Sequence, residues 1–425
     1  MQRGSTFKNA QERRVKKKYL PVLIILSMLY VFLSNGQTQF QNEVPQRIVL
    51  NLAAEPSKSM AVTWRTNGEV KNPAVQVAEA GDWTDFQKSA VRTPATSERF
   101  ELDTKASIYS HSAIVNGLSP NKLYAYRVGG DTIWSEWNQF RTAKDEIAPF
   151  DFVFLGDPQY EIKSLCSRIF REALIVAPTA KFWLFTGDLF DLPQFDRVWA
   201  DWFYATGFIH SMFPSILAPG SHEYALKTKD DVRWDMFTPA WRAHFTLPRN
   251  GPKGLEGRAY YVDYQGVRFV MLDAQMALKE QSEWLDKVLA TNPNKWTVAA
   301  MHEPVYSIAK DRDGRETRNA FMPLFDRYSV DLVLTGHDHG YARSKKLRDG
   351  NVVGDTERGT VYVVSVCGPQ VYKHNPKYDS LMQKTGNELQ LFQVISFYGN
   401  KLLFKSYTST GRLNDSFELS KDSNR

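Results

Sequence analysis

Five short apolar runs in this chain each end in a Gly or Pro turn that carries aspartate or histidine. Residues 152–155 lead into Gly156-Asp157-Pro158-Gln159-Tyr160, and residues 182–185 into Thr186-Gly187-Asp188-Leu189-Phe190-Asp191. Ile216-Leu217 leads to Pro219-Gly220-Ser221-His222-Glu223, and residues 296–300 lead to Met301-His302-Glu303-Pro304. The fifth run, 332–334, stops at Thr335-Gly336 and is followed by His337 and His339, with Tyr341 and Arg343 behind them. Four of the 8 histidines in the chain fall at these ends. Carboxylates together with imidazoles are a donor set for Zn, Mn or Fe, not for a soft thiolate site. Two such ions about 3.5–4 Å apart can clamp the attacking and leaving oxygens of an in-line displacement. A bridging carboxylate is the usual way to hold the pair, and Asp188 is the candidate.

Residues so far apart in sequence meet only if the runs are neighbouring strands. In open α/β sheets, ligands sit in the crevice beyond the carboxyl ends of the strands. The stretches between the runs read accordingly. Residues 164–177, 194–209 and 281–290 repeat apolar residues at helical spacing. In the second of these, Phe195, Val198, Trp199, Trp202 and Phe203 form a stripe that reads as core. Residues 260–262 and 267–272 read as a hairpin across Tyr264-Gln265-Gly266. Residues 391–398 and 402–407 form another across Gly399-Asn400, and 360–366 is a further closing strand. Residues 224–252, with Trp234, Phe237, Trp241 and Phe245, are expected to cover one side of the site. Residues 310–318 read as a charged loop whose arginines could meet a phosphate oxygen.

The front of the chain is different in kind. Residues 46–143 hold short alternating runs separated by turn signals such as Asn67-Gly68 and Gly129-Gly130, the pattern of a β-sandwich. Trp64 is a candidate core residue and His111 reads as structural. Leu118-Ser119-Pro120 followed by Tyr124 resembles the tyrosine corner of fibronectin type III domains. Residues 144–149 read as a linker to a second domain over 149–421. Residues 1–36 place a basic stretch before a 14-residue apolar run, 20–33, and Ser34-Asn35-Gly36, the layout of a cleaved signal peptide. That predicts export to a periplasmic or secreted location, with an N-terminal membrane anchor as the alternative. The formal net charge of +6 lies in this segment. Without its seven Lys/Arg and single Glu12, the 53 basic and 47 acidic residues become 46 of each. The remainder carries no nucleic-acid signature. Two cysteines, Cys166 and Cys367, make no disulfide framework and read as buried thiols, with one bridge as the alternative.

The ordered set GDPQY, TGDLFD, PGSHE, AMHEPVYS and GHDHGYAR resembles the calcineurin-like metallophosphoesterase superfamily. Within it the chain is most similar to purple acid phosphatases, over roughly residues 46–420. The resemblance implies two domains: a fibronectin type III-like β-sandwich, then an α/β domain of two packed mixed β-sheets flanked by helices. It implies two metal ions, Fe, Zn or Mn. Asp157, Asp188 and His339 would hold one, and Asp188, His302 and His337 the other, with Ser221 at a ligand position. His222 would contact the phosphate as the catalytic acid. Asp191 and Gln159 are further candidate donors, and Tyr306 and Arg343 candidate substrate contacts. The expected partner is a small phosphate ester. The expected activity is monoester hydrolysis by a hydroxide held on the metal pair; the alternatives are diester hydrolysis, or a decayed site in an exported binding protein. Two departures from the family stand out. Asp191 occupies the position of a Tyr ligand, and Ser221 that of an Asn, whose carbonyl is the better donor to a hard metal.

Overall fold

A computed structural model describes residues 42–228 and 231–421. The expected signal segment lies outside these residues. Among them, no helix is long and apolar enough to cross a membrane.

Two sheets form the second domain. In the first, Phe150–Leu155, Trp183–Phe185 and Ser215–Leu217 lie side by side and parallel, with Leu391–Tyr398 antiparallel to Phe150–Leu155 on its other side. In the second, Val267–Met271, Trp296–Ala300, Leu332–Thr335 and Val361–Val364 are parallel neighbours. Val, Ile, Leu and Phe fill these strands because both faces are covered. Between the sheets lies a layer of aromatic rings. Phe152 and Phe182 stack at 5.1 Å, and Phe269 of the opposite sheet meets both nearly edge-on, at 86° and 85°. Fully burying such a side chain contributes about 1.5–3 kcal/mol. Side chains two apart on a strand share a face. Trp183 and Phe185 therefore both turn outward, where Phe170 of the helix Ser167–Val176 and Trp202 of the helix Asp196–Thr206 pack on them. On the far side, Leu285, Val288 and Leu289 of Leu278–Ala290 and Phe321, Leu324 and Phe325 of Arg315–Tyr328 cover the second sheet. The helix starting at Arg315 corrects the reading of 310–318 as loop throughout. Its charged composition and the internal Pro323 hide the helical period.

The front of the chain is a sandwich of strands closed by Trp64, Val75, Tyr126 and Phe140. The Tyr124 hydroxyl accepts from the Ser119 backbone N–H at 2.8 Å, the contact of a tyrosine corner. One sheet of this sandwich continues into the second domain. Gln46–Asn51 pairs in parallel with Ser215–Leu217 at Asn51 and Ser215, giving a single sheet of ten strands. Arg47 clamps Asp196 through both carboxylate oxygens at 2.7 and 2.9 Å, and Arg65 adds a third bond at 2.8 Å. Asp196 also stands in the first turn of its helix, where the dipole favours a negative charge. Cys166 and Cys367 are buried free thiols.

Three histidines outside the strand ends are buried without charge. His111 lies between the Thr66 and Ser97 hydroxyls at 2.9 and 2.7 Å. His210 is enclosed by Phe185, Trp202 and Phe203, and His244 stacks on Trp199 at 3.9 Å. Burial pushes His111 down to about 4, and His210 and His244 down to about 3, from 6.5. The unfolded chain therefore takes up protons below pH 6.5 that the folded chain refuses until those lower values. Stability is fully present above pH 6.5 and is lost as pH falls toward 4 and 3. Each histidine contributes about 1.4 kcal/mol per pH unit in that window. His210→Phe is expected to reduce the loss of thermal midpoint between pH 6.5 and 4 relative to the wild type, because it removes one group that must be protonated on unfolding; an unchanged loss would contradict this.

Candidate metal centre

All five strand ends open at the same edge of the two packed sheets. Asp157 follows Phe150–Leu155, Asp188 follows Trp183–Phe185, and His222 follows Ser215–Leu217. His302 follows Trp296–Ala300, and His337 and His339 follow Leu332–Thr335. Asp188, His302 and His337 each offer a donor atom within 4.8 Å of the other two. Asp157 joins them: its Oδ1 is 3.9 Å from His302 Nε2 and 3.7 Å from His339 Nε2.

The backbone is bent to achieve this. Asp157, Asp188, His337 and His339 have φ of 48°, 47°, 71° and 48°, the left-handed region that side chains with a Cβ seldom enter. Each such residue costs about 1–3 kcal/mol, and strain of this kind concentrates where function requires it. Two glycines let the loops close. A Cβ on Gly336 would sit 2.1 Å from Asp157 Oδ2, and one on Gly220 would sit 2.3 Å from Asp188 Oδ1.

Hydrogen bonds then fix each group. The His337 backbone N–H donates to both Asp157 oxygens, at 2.9 and 2.8 Å. Asp188 Oδ1 accepts from the His222 backbone N–H at 2.7 Å. The Ser221 hydroxyl donates to the two Asp188 oxygens at 3.3 and 3.2 Å. Ser221 thus acts on the carboxylate that was expected to bridge. Glu223, which the sequence reading passed over, accepts from the backbone N–H groups of Asp188, Leu189 and Gly220 at 2.9, 3.0 and 2.6 Å. Burial and the neighbouring Asp188 charge push its carboxyl up to about 7. Its position one residue after His222 was the available signal. Glu303, likewise buried after His302, is pushed up to about 7, first by burial.

The donor set fits a cation. His302 Nδ1 lies 2.7 Å from the Thr186 carbonyl, so that nitrogen carries the proton. Its Nε2 then faces Asp188 Oδ2 at 3.0 Å and His337 Nδ1 at 3.1 Å. Lone pairs cannot face one another this closely in a dry site without positive charge at Nε2. Burial opposes a charge on His302, but Asp188 and Asp157 outweigh it and hold the imidazole well above its ordinary value. A metal ion would satisfy the same demand, with the Thr186 carbonyl as the outer partner that orients the imidazole. Gln159 Oε1 is buried with no hydrogen-bond partner, a further atom that a bound ion or its water would satisfy. Gln159 Nε2 lies 2.9 Å from His339 Nε2 and 3.3 Å from Asp188 Oδ2, so Gln159 belongs to the cluster.

His222 is held differently. Its Nδ1 lies 2.7 Å from the Asp191 backbone carbonyl, which fixes the Nδ1–H tautomer. Nε2 is left facing the cluster, 3.9 Å from Asp188 Oδ2. Asp191 therefore enters through its carbonyl. Two expected substrate contacts are not brought to the site. The Arg343 guanidinium is held by Asp415 at 2.7 and 3.1 Å, because alternation along Tyr341–Ser344 aims it away. Tyr306 is buried between Tyr362 and Tyr378, with its hydroxyl 3.2 Å from Met322 Sδ. Arg312 is the arginine that does reach the cluster. It donates to the His337 carbonyl and lies 4.8 Å above the Tyr372 ring, which stacks on His339.

Two packed sheets with carboxylates and imidazoles at their strand ends are the architecture of calcineurin-like phosphoesterases, and the chain belongs to that superfamily. A family profile described as calcineurin-like phosphoesterase matches residues 150–341. The domain in front of it is equally specific: a profile described as purple acid phosphatase, N-terminal domain, matches residues 45–142. The chain is 26% identical to purple acid phosphatase 21 of Arabidopsis thaliana over 326 residues, covering 74% of this chain and 69% of that one. An uncharacterized protein of Mycobacterium tuberculosis is 28% identical over 369 residues, 74% of this chain and 68% of that one. The solved structure of a purple acid phosphatase from yellow lupin (Lupinus luteus) seeds superposes with a TM-score of 0.76 at 20% identity, covering 90% of this chain and 75% of that one.

Proposed function

We propose that this chain is an exported hydrolase of phosphate monoesters that works with two metal ions of the Fe, Zn or Mn type. The observation that carries the reading is the convergence of Asp157, Asp188, His302, His337 and His339 beside a separately oriented His222. Asp157, Asp188 and His339 would hold one ion, and Asp188, His302 and His337 the other. Metals bound there would supply Lewis acidity toward the phosphoryl oxygens and toward water. The chain's own part is placement. Glu223 and Ser221 hold the Asp188 carboxylate and its loop, and the Asp157 loop is tied to the His337 backbone. His222, with Nδ1–H given to the Asp191 carbonyl, presents Nε2 to donate a proton at the leaving oxygen when the ring is charged. Export rests on the sequence of residues 1–36.

Hydrolysis of a panel of monoesters and diesters tests the reading. Release of phosphate from monoesters is expected to be lost with a chelator and restored by added Fe, Zn or Mn. Faster cleavage of diesters would reassign the substrate, and activity indifferent to chelation would remove the metals from the account.

A further inference from the structure

The wall of the site on the His222 side is aromatic, and nothing in the proposed hydrolysis uses it. The Trp234 ring lies 5.0 Å from the His222 ring, nearly perpendicular at 87°. The Tyr160 ring lies 6.1 Å from the same imidazole at 84°. Trp234 is 52% exposed, and its ring contact among the described residues is the one with His222. A tryptophan placed in a surface loop with half its area in water is not serving the core. Tyr160 is held at φ 62°, and Glu161 after it at φ 48°. A bulky side chain in that region is an outlier, and here it sets a ring beside the catalytic imidazole. Across the site Tyr372 is already engaged, stacked on His339 at 4.3 Å under the Arg312 guanidinium. Trp234 is thus the ring beside His222 with open surface, and Tyr160, half-buried, has its ring contact among the described residues with His222 as well.

His222 is the residue that faces the leaving oxygen, so the group esterified to phosphate must extend along these two rings. We infer that Trp234 and Tyr160 form a platform for a planar aromatic ring in the alcohol part of the substrate. The site then favours aryl and nucleoside monoesters over alkyl esters of equal leaving-group basicity. This rests on the phosphoesterase reading above. Stacking of a base on an aromatic side chain tolerates any planar ring, because each has a π-face.

The test compares adenosine 5′-monophosphate with ribose 5-phosphate, with the enzyme metal-loaded. Both release phosphate from a primary 5′ oxygen, so the departing groups are chemically matched and the base is the difference. The nucleotide is expected to have a kcat/KM about tenfold higher, carried by KM, as one stacked ring would give. In Trp234→Ala that ratio should collapse toward one, and in Trp234→Phe it should be kept. Tyr160→Leu should lower the ratio by the second ring, which keeps the test available if one variant fails to fold. Equal kcat/KM for both esters in the wild type would overturn the platform while leaving the phosphoesterase reading intact. So would a proportional fall for both esters in Trp234→Ala, which would make Trp234 a support for His222. Hydrolysis of neither ester would overturn the phosphoesterase reading and the platform with it.

Discussion

Asp188→Ala is expected to strip the protein of metal and of activity in one step. Asp188 is the carboxylate that His302 Nε2 meets at 3.0 Å, and it also gathers the Ser221 hydroxyl and the His222 backbone N–H. A carboxylate shared by two cations cannot be replaced by water without letting them separate. The loss should reach the background rate, and elemental analysis of the variant should find metal below the wild-type level in the same preparation. Retained metal with lost activity would mean that Asp188 is not the bridge. The fold should survive, because the side chain touches loops at the sheet edge and not the aromatic layer between the sheets.

His222→Ala should behave in the opposite way. Its Nε2 is not among the three donor atoms gathered within 4.8 Å, and its Nδ1 is committed to the Asp191 carbonyl. The variant is expected to keep its metals and lose turnover by about 10²–10⁴-fold, the range for a lost acid–base partner. Esters with good leaving groups, such as aryl phosphates, should lose least, since their oxygen departs with less protonation. Equal losses across leaving groups would remove His222 from proton transfer. Metal lost together with activity would make it a ligand.

The cluster was legible in the sequence because its grammar is local. Each ligand stands within a few residues of an apolar run that stops at Gly or Pro, so chain order alone brings Asp157, Asp188, His302, His337 and His339 to one edge. Contacts that cross between loops leave no such trace. Glu223 reaches three backbone N–H groups on two loops, and its place after His222 marks the turn but not those partners. Arg343 shows the reverse error. Proximity to a histidine pair in sequence does not fix direction, and strand alternation delivers its guanidinium to Asp415. Tyr306 follows His302 by four residues, yet its ring is buried between Tyr362 and Tyr378 and not turned to the cluster. The helix Arg315–Tyr328 was hidden by charge and by Pro323, and it forms because Phe321, Leu324 and Phe325 are buried against the second sheet. The ten-stranded sheet depends on the pairing of Asn51 with Ser215, a contact between residues 164 apart that no local pattern encodes.

A constellation of this kind should bind a pair of metal ions. Elemental analysis of the full chain, purified without chelators, tests it most directly. About two equivalents of Fe, Zn or Mn per chain are expected, in any combination. A well-folded protein with near-zero metal that takes up none on addition would contradict it.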